Sequence, residues 1–319
     1  MRGKILIGVI GAVVLVVAGL HYYANQRARE LVDARLAALV ASGRYDALSY
    51  ESLNVGLNGT FTLRNLHIEQ EGKALVVQTV RVNDLDPLHD IPWHLDLQLS
   101  GLQFPRGVDA FVAELPPIPQ AVVTDLVKGN TLPLTLRYRY EYEPEAREQI
   151  DSTFDAELPQ SFVLNLQSTT RGIPIGAFSD PNLRRGDPMA AMTRISALMN
   201  QGELPRTTLT LTDRGLLDLI VEHGAADTGL TPEEFRTLLI SRVTNLHLFM
   251  PPSMQNVVQS ASTEVAEFLA GSSTLQVRVN PEFGGSFAQL QPQIMGAIFS
   301  GEFDQVVRLL HLEVENLAN

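Results

Sequence analysis

The sequence predicts an α+β protein: a single N-terminal transmembrane helix and stalk, followed by a large antiparallel β-rich domain with helices mainly in its C-terminal half. Three observations predict it. An uninterrupted apolar run opens the chain, period-two alternation recurs through its middle, and helix start and stop signals multiply after residue 187. With 319 residues that are 45% hydrophobic and 19% charged, whole-chain disorder is excluded and a sizeable core is available.

Arg2 and Lys4 precede the apolar run Ile5 to Ala24. About twenty helical residues at 1.5 Å each cover the roughly 30 Å hydrocarbon core of a bilayer. Tyr22 and Tyr23 stand where an interfacial aromatic belt would, and Arg27 and Arg29 follow. A cleaved signal peptide ending at Val16-Val17-Ala18 is the rival reading, but the run continues past Ala18, which favours an uncleaved signal anchor. A short basic tail ahead of the first apolar segment predicts that the tail stays in the cytoplasm and the bulk crosses. Gly8 and Ala12 make one small-xxx-small pair, a spacing by which two anchors approach, although one pair arises easily by chance.

From Ala24 to Ala41, Ala28, Val32, Leu36, Leu39 and Val40 recur at helical spacing, and Gly43 closes the segment as an amphipathic stalk. Beyond Arg44 the period becomes two. Tyr45 to Leu57 and Thr60 to Glu69 flank Asn58-Gly59, which reads as a tight hairpin turn. Further strands are expected at Ala74 to Val82, Leu95 to Leu102, Leu132 to Glu143, Ser152 to Leu158, Phe162 to Thr169, Thr207 to Thr212, Asn245 to Phe249 and Leu275 to Val279. In LPLTLRYRYEYE, Leu132, Leu134, Leu136, Tyr138, Tyr140 and Tyr142 share one face and Thr135, Arg137, Arg139, Glu141 and Glu143 the other. One wet face belongs to antiparallel meanders.

Helices are expected from Asp187-Pro188 to Asn200, from Asp213 to Gly224, from the Thr231-Pro232-Glu233-Glu234 capping box onward, and from Ser253 to Ala270 before Gly271. Ser286 to His311 reads as helix divided near Gly301. Pro116, Pro117 and Pro119 read as the rigid lead-in to a helix. The Pro- and Gly-rich loop from Gly172 to Arg185 is the best internal boundary, giving 1–43 as anchor and stalk, 44–180 as antiparallel meander and 181–319 as the α+β C-terminal part of the same domain.

The absence of cysteine removes disulfide scaffolds, thiol nucleophiles and cysteine-ligated metals. A net charge of −12 supplies no basic footprint for nucleic acid, so no nucleic-acid partner is expected. No G-x-S-x-G, Walker A, H-E-x-x-H or dinucleotide fingerprint occurs, which argues against the common hydrolase and NTPase folds.

The anchor followed by LSYESLNVGLNGTFTLRNLHIEQEGKALVVQTVRVNDLDP resembles the opening of bacterial inner-membrane-anchored envelope families, both YdgA-like and AsmA/TamB-like. The second half, with TLTLTDRGLLDLIVEHGAADTGLTPEEFRTLLI, STLQVRVNPEFGGSFAQL and LLHLEVENL, is more similar to the YdgA-like set, whose function is unknown. The resembling residues are strand alternation, a hairpin glycine and helix caps, so no catalytic position carries over. The resemblance implies a bacterial inner-membrane, single-pass protein with its bulk in the periplasm. By analogy with AsmA/TamB-like relatives it implies phospholipid handling on an apolar β groove. About ten strands spaced 4.8 Å apart make a sheet on the order of 50 Å wide, too short for a stand-alone bridge between membranes.

Asp84, Asp86, His89, Asp90, His94 and Asp96 are the densest set of candidate metal ligands, but their spacing fits neither a helix face nor a strand face. They read as solvated loop and strand-edge residues, with Trp93 as a packing anchor; no metal and no cofactor is expected. Glu141, Glu143, Glu145 and Glu148 read as a solvated face rather than paired catalytic carboxylates. Met189, Met192, Ser196 and Met199 fall on one helical stripe, a surface suited to adaptable apolar contact, although core packing is the plainer reading. The expected function is therefore non-enzymatic: an anchored envelope protein supporting lipid or envelope homeostasis. Leu134, Leu136, Tyr138, Tyr140, Met189, Met192 and Met199 are its candidate cargo or partner contacts. The alternative is an anchored scaffold or assembly factor for an envelope complex, and an anchored hydrolase ranks last.

Overall fold

The structure, a computed structural model, describes residues 26–55, 60–86, 89, 92–146, 148–179, 188–203, 205–281 and 286–317. The anchor expected over Ile5 to Ala24, the Asn58-Gly59 turn and Asp90 lie outside these residues. Among the described residues no helix is long and apolar enough to cross a membrane. The fold is α+β with antiparallel strands, and the chain divides into two compact units, Met1–Tyr140 and Glu141–Asn319.

The first unit runs α1 (Gln26–Ala41), β1 (Ala47–Ser49), β2 (Ser52–Val55), β3 (Phe61–Gln70), β4 (Lys73–Leu85), β5 (His94–Gln103), α2 (Asp109–Val112), α3 (Pro117–Leu126) and β6 (Thr131–Glu143), which continues past the division. Val32 and Leu36 on α1 are buried, as the stalk pattern requires, and α1 packs on β1. The strand expected from Tyr45 to Leu57 is instead two strands, β1 and β2, both paired with β3. They part because β3 holds Asn65 at φ 50, and the Asn65 amide donates to the Glu51 carboxylate between them.

The same irregularity explains a parity change in the sequence. Buried apolar residues are Phe61 and Leu63 before Asn65 but Leu66 and Ile68 after it, and β4 and β5 change parity in register. Gly101 stands at φ 68, a left-handed backbone that favours glycine, beside the Gln78 side chain. The outcome is a sealed layer: Leu63, Val77, Val80, Val82 and Leu97 are fully buried. Such burial is the main stabilising term, about 1.5–3 kcal/mol for each large aliphatic side chain.

The second unit runs β7 (Gln149–Leu158), β8 (Phe162–Thr170), α4 (Pro188–Met199), β9 (Arg206–Asp213), α5 (Leu216–Thr228), α6 (Pro232–Thr244), α7 (Pro252–Ala270), β10 (Thr274–Val279), α8 (Phe287–Ser300), α9 (Phe303–Leu310) and β11 (Leu312–Leu317). Its strands pair in the order β7-β8-β9-β10-β11, all antiparallel. The capping box of α6 is present, with Thr231 N–H donating to Glu234 Oε2 at 2.8 Å and Glu234 N–H to Thr231 Oγ1 at 3.3 Å. The Thr231 backbone N–H and its hydroxyl, the latter also at 2.8 Å, both donate to the Glu234 carboxylate and hold it below its ordinary range. Gly224 on α5 admits the buried Phe235 ring of α6, and Arg236 ties α6 to Asp218 at 2.5 Å and to the Leu269 carbonyl at 2.9 Å.

Two sequence expectations fail here. Asn245 to Phe249 is not a strand but a single 3-10 turn, Leu246–Phe249, continuing from α6, with Asn245 Nδ2 donating to the Ser241 carbonyl. β11 was not expected; the chain leaves α9 at His311 with φ 43, and Leu312 then pairs with Val279. Along β11, α7 covers the outer edge, and Asn316 N–H donates to Glu264 Oε2 at 2.9 Å.

Candidate functional site

The acidic and histidine-bearing stretch forms the β4–β5 connection. Asp86, expected to be solvated, is 4% exposed and sits at its centre. Its Oδ2 accepts from Trp93 N–H at 2.8 Å and lies 2.6 Å from His89 Nδ1. The His89 and Trp93 rings stack at 3.8 Å and 9°, while the His89 side chain stays 37% exposed. A buried carboxylate thus fixes the imidazole through Nδ1, an arrangement that orients proton transfer or simply closes the loop. The remaining members separate: Asp84 lies opposite Asp96 in register, His94 approaches Asp84 at 3.4 Å, and Asp96 turns to Arg137. Among the described residues, which omit Asp90, no group of three His, Asp or Glu is placed to hold a metal ion.

β6 brings its alternating faces beside this loop. On the even face Leu136 is buried, and Leu134, Tyr138 and Tyr140 are half-buried. Tyr138 and Tyr140 have ring centres 5.9 Å apart, and Tyr140 Oη donates to the Pro92 carbonyl at 2.6 Å. Burial, then the neighbouring Tyr138 and Asp86 charges, push the Tyr140 phenol up to about 12; burial raises Tyr138. The odd face is not uniformly wet as expected. Arg137 is half-buried and donates from Nε to Asp96 Oδ1 at 2.8 Å. Burial alone would raise the Asp96 carboxyl, but hydrogen bonds from Arg137 and Asn83 and the Arg137 and Arg139 charges outweigh it and hold it below its ordinary range. Glu141, Glu143 and Glu145 are exposed.

A second set of apolar strand residues lies on β7 to β11. The registers align Phe154, Leu166, Leu209, Val277 and Val314 in one cross-strand row, with Ala156, Leu164, Leu211 and Leu275 beside it. Ala156 is buried near the β7–β8 hairpin, but every other member of these rows is only half-buried. The opposite face is polar and laced by cross-strand bonds, among them Asn165 Nδ2 to Asp155 Oδ1 at 2.6 Å and Gln276 Nε2 to Thr210 Oγ1 at 3.0 Å. Apart from Ala156, the residues of these rows are only partly buried, unlike the fully buried Leu63, Val80 and Leu97 of β3 to β5, and α7 packs on β10 and β11. Five strands with four spacings of about 4.8 Å make the apolar row about 19 Å long, the scale of an extended acyl chain.

Met189, Met192 and Met199 lie on α4, but their side chains are outside the described ones; Ile195 and Ser196 on that helix are exposed. Clefts also open among the described residues. One of about 490 Å³ lies where Arg29, Asp33 and Leu36 of α1 face Leu48 to Leu53, with Tyr50 Oη donating to Asp33 Oδ1 at 2.8 Å. Another, of about 440 Å³, lies between α5 and α6 around Asp218, Glu222 and Arg236.

Sequence reasoning picked Leu134, Leu136, Tyr138 and Tyr140 from alternation, and β6 does bring them together on one face. It missed the rows of β7 to β11, although their alternation was equally plain, because the β11 member was unread and alternation is silent on what covers a face.

A family model described as uncharacterized protein matches residues 155–316, from within β7 to within β11. No curated protein and no solved structure matches the chain, and these findings include no YdgA-like or AsmA/TamB-like match. The matched span holds the apolar strand rows from Ala156 to Val314 and covers just over half of the chain, and the protein therefore belongs to this family of uncharacterized proteins.

Proposed function

We propose that the protein is a membrane-anchored envelope protein that holds an apolar cargo of the acyl-chain kind on the open face of β7 to β11. The carrying observation is the row Phe154, Leu166, Leu209, Val277 and Val314, all partly exposed, set against the sealed β3 to β5 of Met1–Tyr140. Apolar surface left partly uncovered along a continuous row costs free energy in water, which is recovered when something apolar covers it. The apolar run Ile5 to Ala24 supports a bilayer location, from which such a cargo would come without crossing water. The proposal keeps the bulk of the chain in the periplasm of a bacterial inner-membrane protein. No catalytic step is part of this reading.

Lipid extraction and native mass measurement of the full chain purified in mild detergent test it. Bound lipid at a fixed stoichiometry is expected, reduced by Leu211→Asp, which puts a carboxylate into the row without entering a sealed core. Absence of lipid from the wild-type chain, or lipid indifferent to Leu211→Asp, removes the cargo. A reporter active only in the periplasm, fused after Asn319, is expected to be active and to stay with the membrane; a soluble product beginning near Gly19 removes the anchor.

A further inference from the structure

In Glu141–Asn319 the antiparallel order puts the end of β8, the start of β9, the end of β10 and the start of β11 at one end of the strands. The connections made there are α4, between β8 and β9, and α8 with α9, between β10 and β11. Backbone bonds tie them: Ala288 N–H donates to the Asn200 carbonyl at 3.2 Å and Phe287 N–H to the Gly202 carbonyl at 2.7 Å. α7 packs against both α9 and the 3-10 turn Leu246–Phe249.

α8 has two apolar faces. Leu290 and Ala297 form the buried one. Phe287, Met295, Ile298 and Phe299 are exposed, and at 3.6 residues per turn they fall within about 120° of the helix circumference. Phe299 is 83% exposed and Phe249, on the turn packed against α7, 81%. From Phe287 to Ser300 the helix has no charged residue at all. An exposed arc of aromatic and aliphatic residues, with the neutral Gln291 among them and no charge, suits the acyl boundary of a bilayer, which accepts such side chains without requiring a complementary shape. With a net charge of −12 the chain gains nothing from anionic headgroups, so insertion must rest on apolar burial. A chain held to a bilayer by its N terminus also meets that surface at high effective concentration.

We propose that the exposed arc of α8, together with the Leu246–Phe249 turn, inserts into the surface of a lipid bilayer. The inference rests on the membrane-anchored reading for its lipid source but not on a bound cargo. Because the chain has no cysteine, single labels are unambiguous. Full-length Phe299→Cys and Phe249→Cys, each carrying a polarity-sensitive fluorophore, are reconstituted into phosphatidylcholine vesicles with and without doxyl-labelled lipid. Glu233→Cys, an exposed position at the start of α6, is the control. A blue shift and loss of emission at 299 and 249, absent at 233 and unchanged by added salt, are expected. Emission at 299 and 249 matching that at 233 overturns the proposal, as does quenching at one of the two alone. Shielding that appears without vesicles and grows with protein concentration assigns the arc to a second copy of the chain and also overturns it. Lipid extracted from the detergent-purified chain before it meets vesicles reads the cargo separately: quenched probes without bound lipid remove the cargo and keep the surface, and bound lipid with unquenched probes does the reverse.

Discussion

A carboxylate placed on each apolar strand face measures directly whether that face is sealed. Val80 is 0% exposed between Leu63 and Leu99, whereas Leu209 lies half-buried between Leu166 and Val277. An unpaired charge at Val80→Asp has no water and no partner, so the cost is several kcal/mol, comparable with the 5–15 kcal/mol stability of a typical domain. At Leu209→Asp the carboxylate keeps part of its hydration. The loss there is most of the roughly 1.5–3 kcal/mol of leucine burial, plus at most about 1 kcal/mol for aspartate in a strand. Urea titration of the full chain in one detergent should therefore show a fall of about 2 kcal/mol for Leu209→Asp with an unchanged slope, and loss of the folded baseline for Val80→Asp. Equal damage from the two substitutions would mean that the β7–β11 face is core, and the cargo reading built on its openness would fall.

Gly224→Ala should destabilise by about 1–3 kcal/mol through overpacking, less about 1 kcal/mol of gained helix propensity, because its Cβ would stand 2.1 Å from the Phe235 ring; Phe235→Leu in the same chain should recover the loss, and a net stabilisation by Gly224→Ala alone contradicts the packing. Burial, Tyr138 and Asp86 hold the Tyr140 phenol near 12 against an ordinary 10.0, so its contribution is complete below pH 10 and lost as pH rises toward 12; alkaline melts of Tyr140→Phe should be flatter over that window, and parallel curves refute it. Asp96 is shifted the other way, so its contribution is present above its unfolded pKa and lost as pH falls through the folded one. After screening of the partly exposed Arg137, Asp96→Asn and Arg137→Gln should each cost about 1 kcal/mol near neutrality and not add, as a double-mutant cycle would show; strict additivity breaks the pair.

β3 to β6 were legible because burial on one face writes itself into the sequence as period two, and the parity change at Asn65 stands there as Phe61-x-Leu63 giving way to Leu66-x-Ile68, whereas the break between β1 and β2 was not, since it depends on the Asn65 backbone angle. Leu246-His247-Leu248-Phe249 was not legible, since a short apolar run has no period that separates strand from turn, and the following Pro251-Pro252 fits either. β11 was hidden because helical spacing runs on to His311, where the reversal depends on a backbone angle rather than on a glycine. The Asp86–His89–Trp93 cluster needed the loop to close before its members, at irregular spacing, could meet. Phe249 and Phe299 gave no signal in one dimension, because exposure depends on what packs alongside.

The connectivity of the two units has a kinetic consequence. In Met1–Tyr140, β3, β4 and β5 pair with their neighbours in sequence, so each loop to be closed is short and the layer zips locally. In Glu141–Asn319, β9 waits for α4 to be crossed, and β10 cannot dock until the whole stretch 214–273 has been made and compacted. During synthesis the first unit is able to close while the second still lacks its last strands, leaving the apolar rows of β7, β8 and β9 without their neighbours. The period of greatest aggregation risk is thus the interval between completion of β9 and arrival of β10, and a lipid surface or a chaperone present during that interval would act on the chain before its native fold exists.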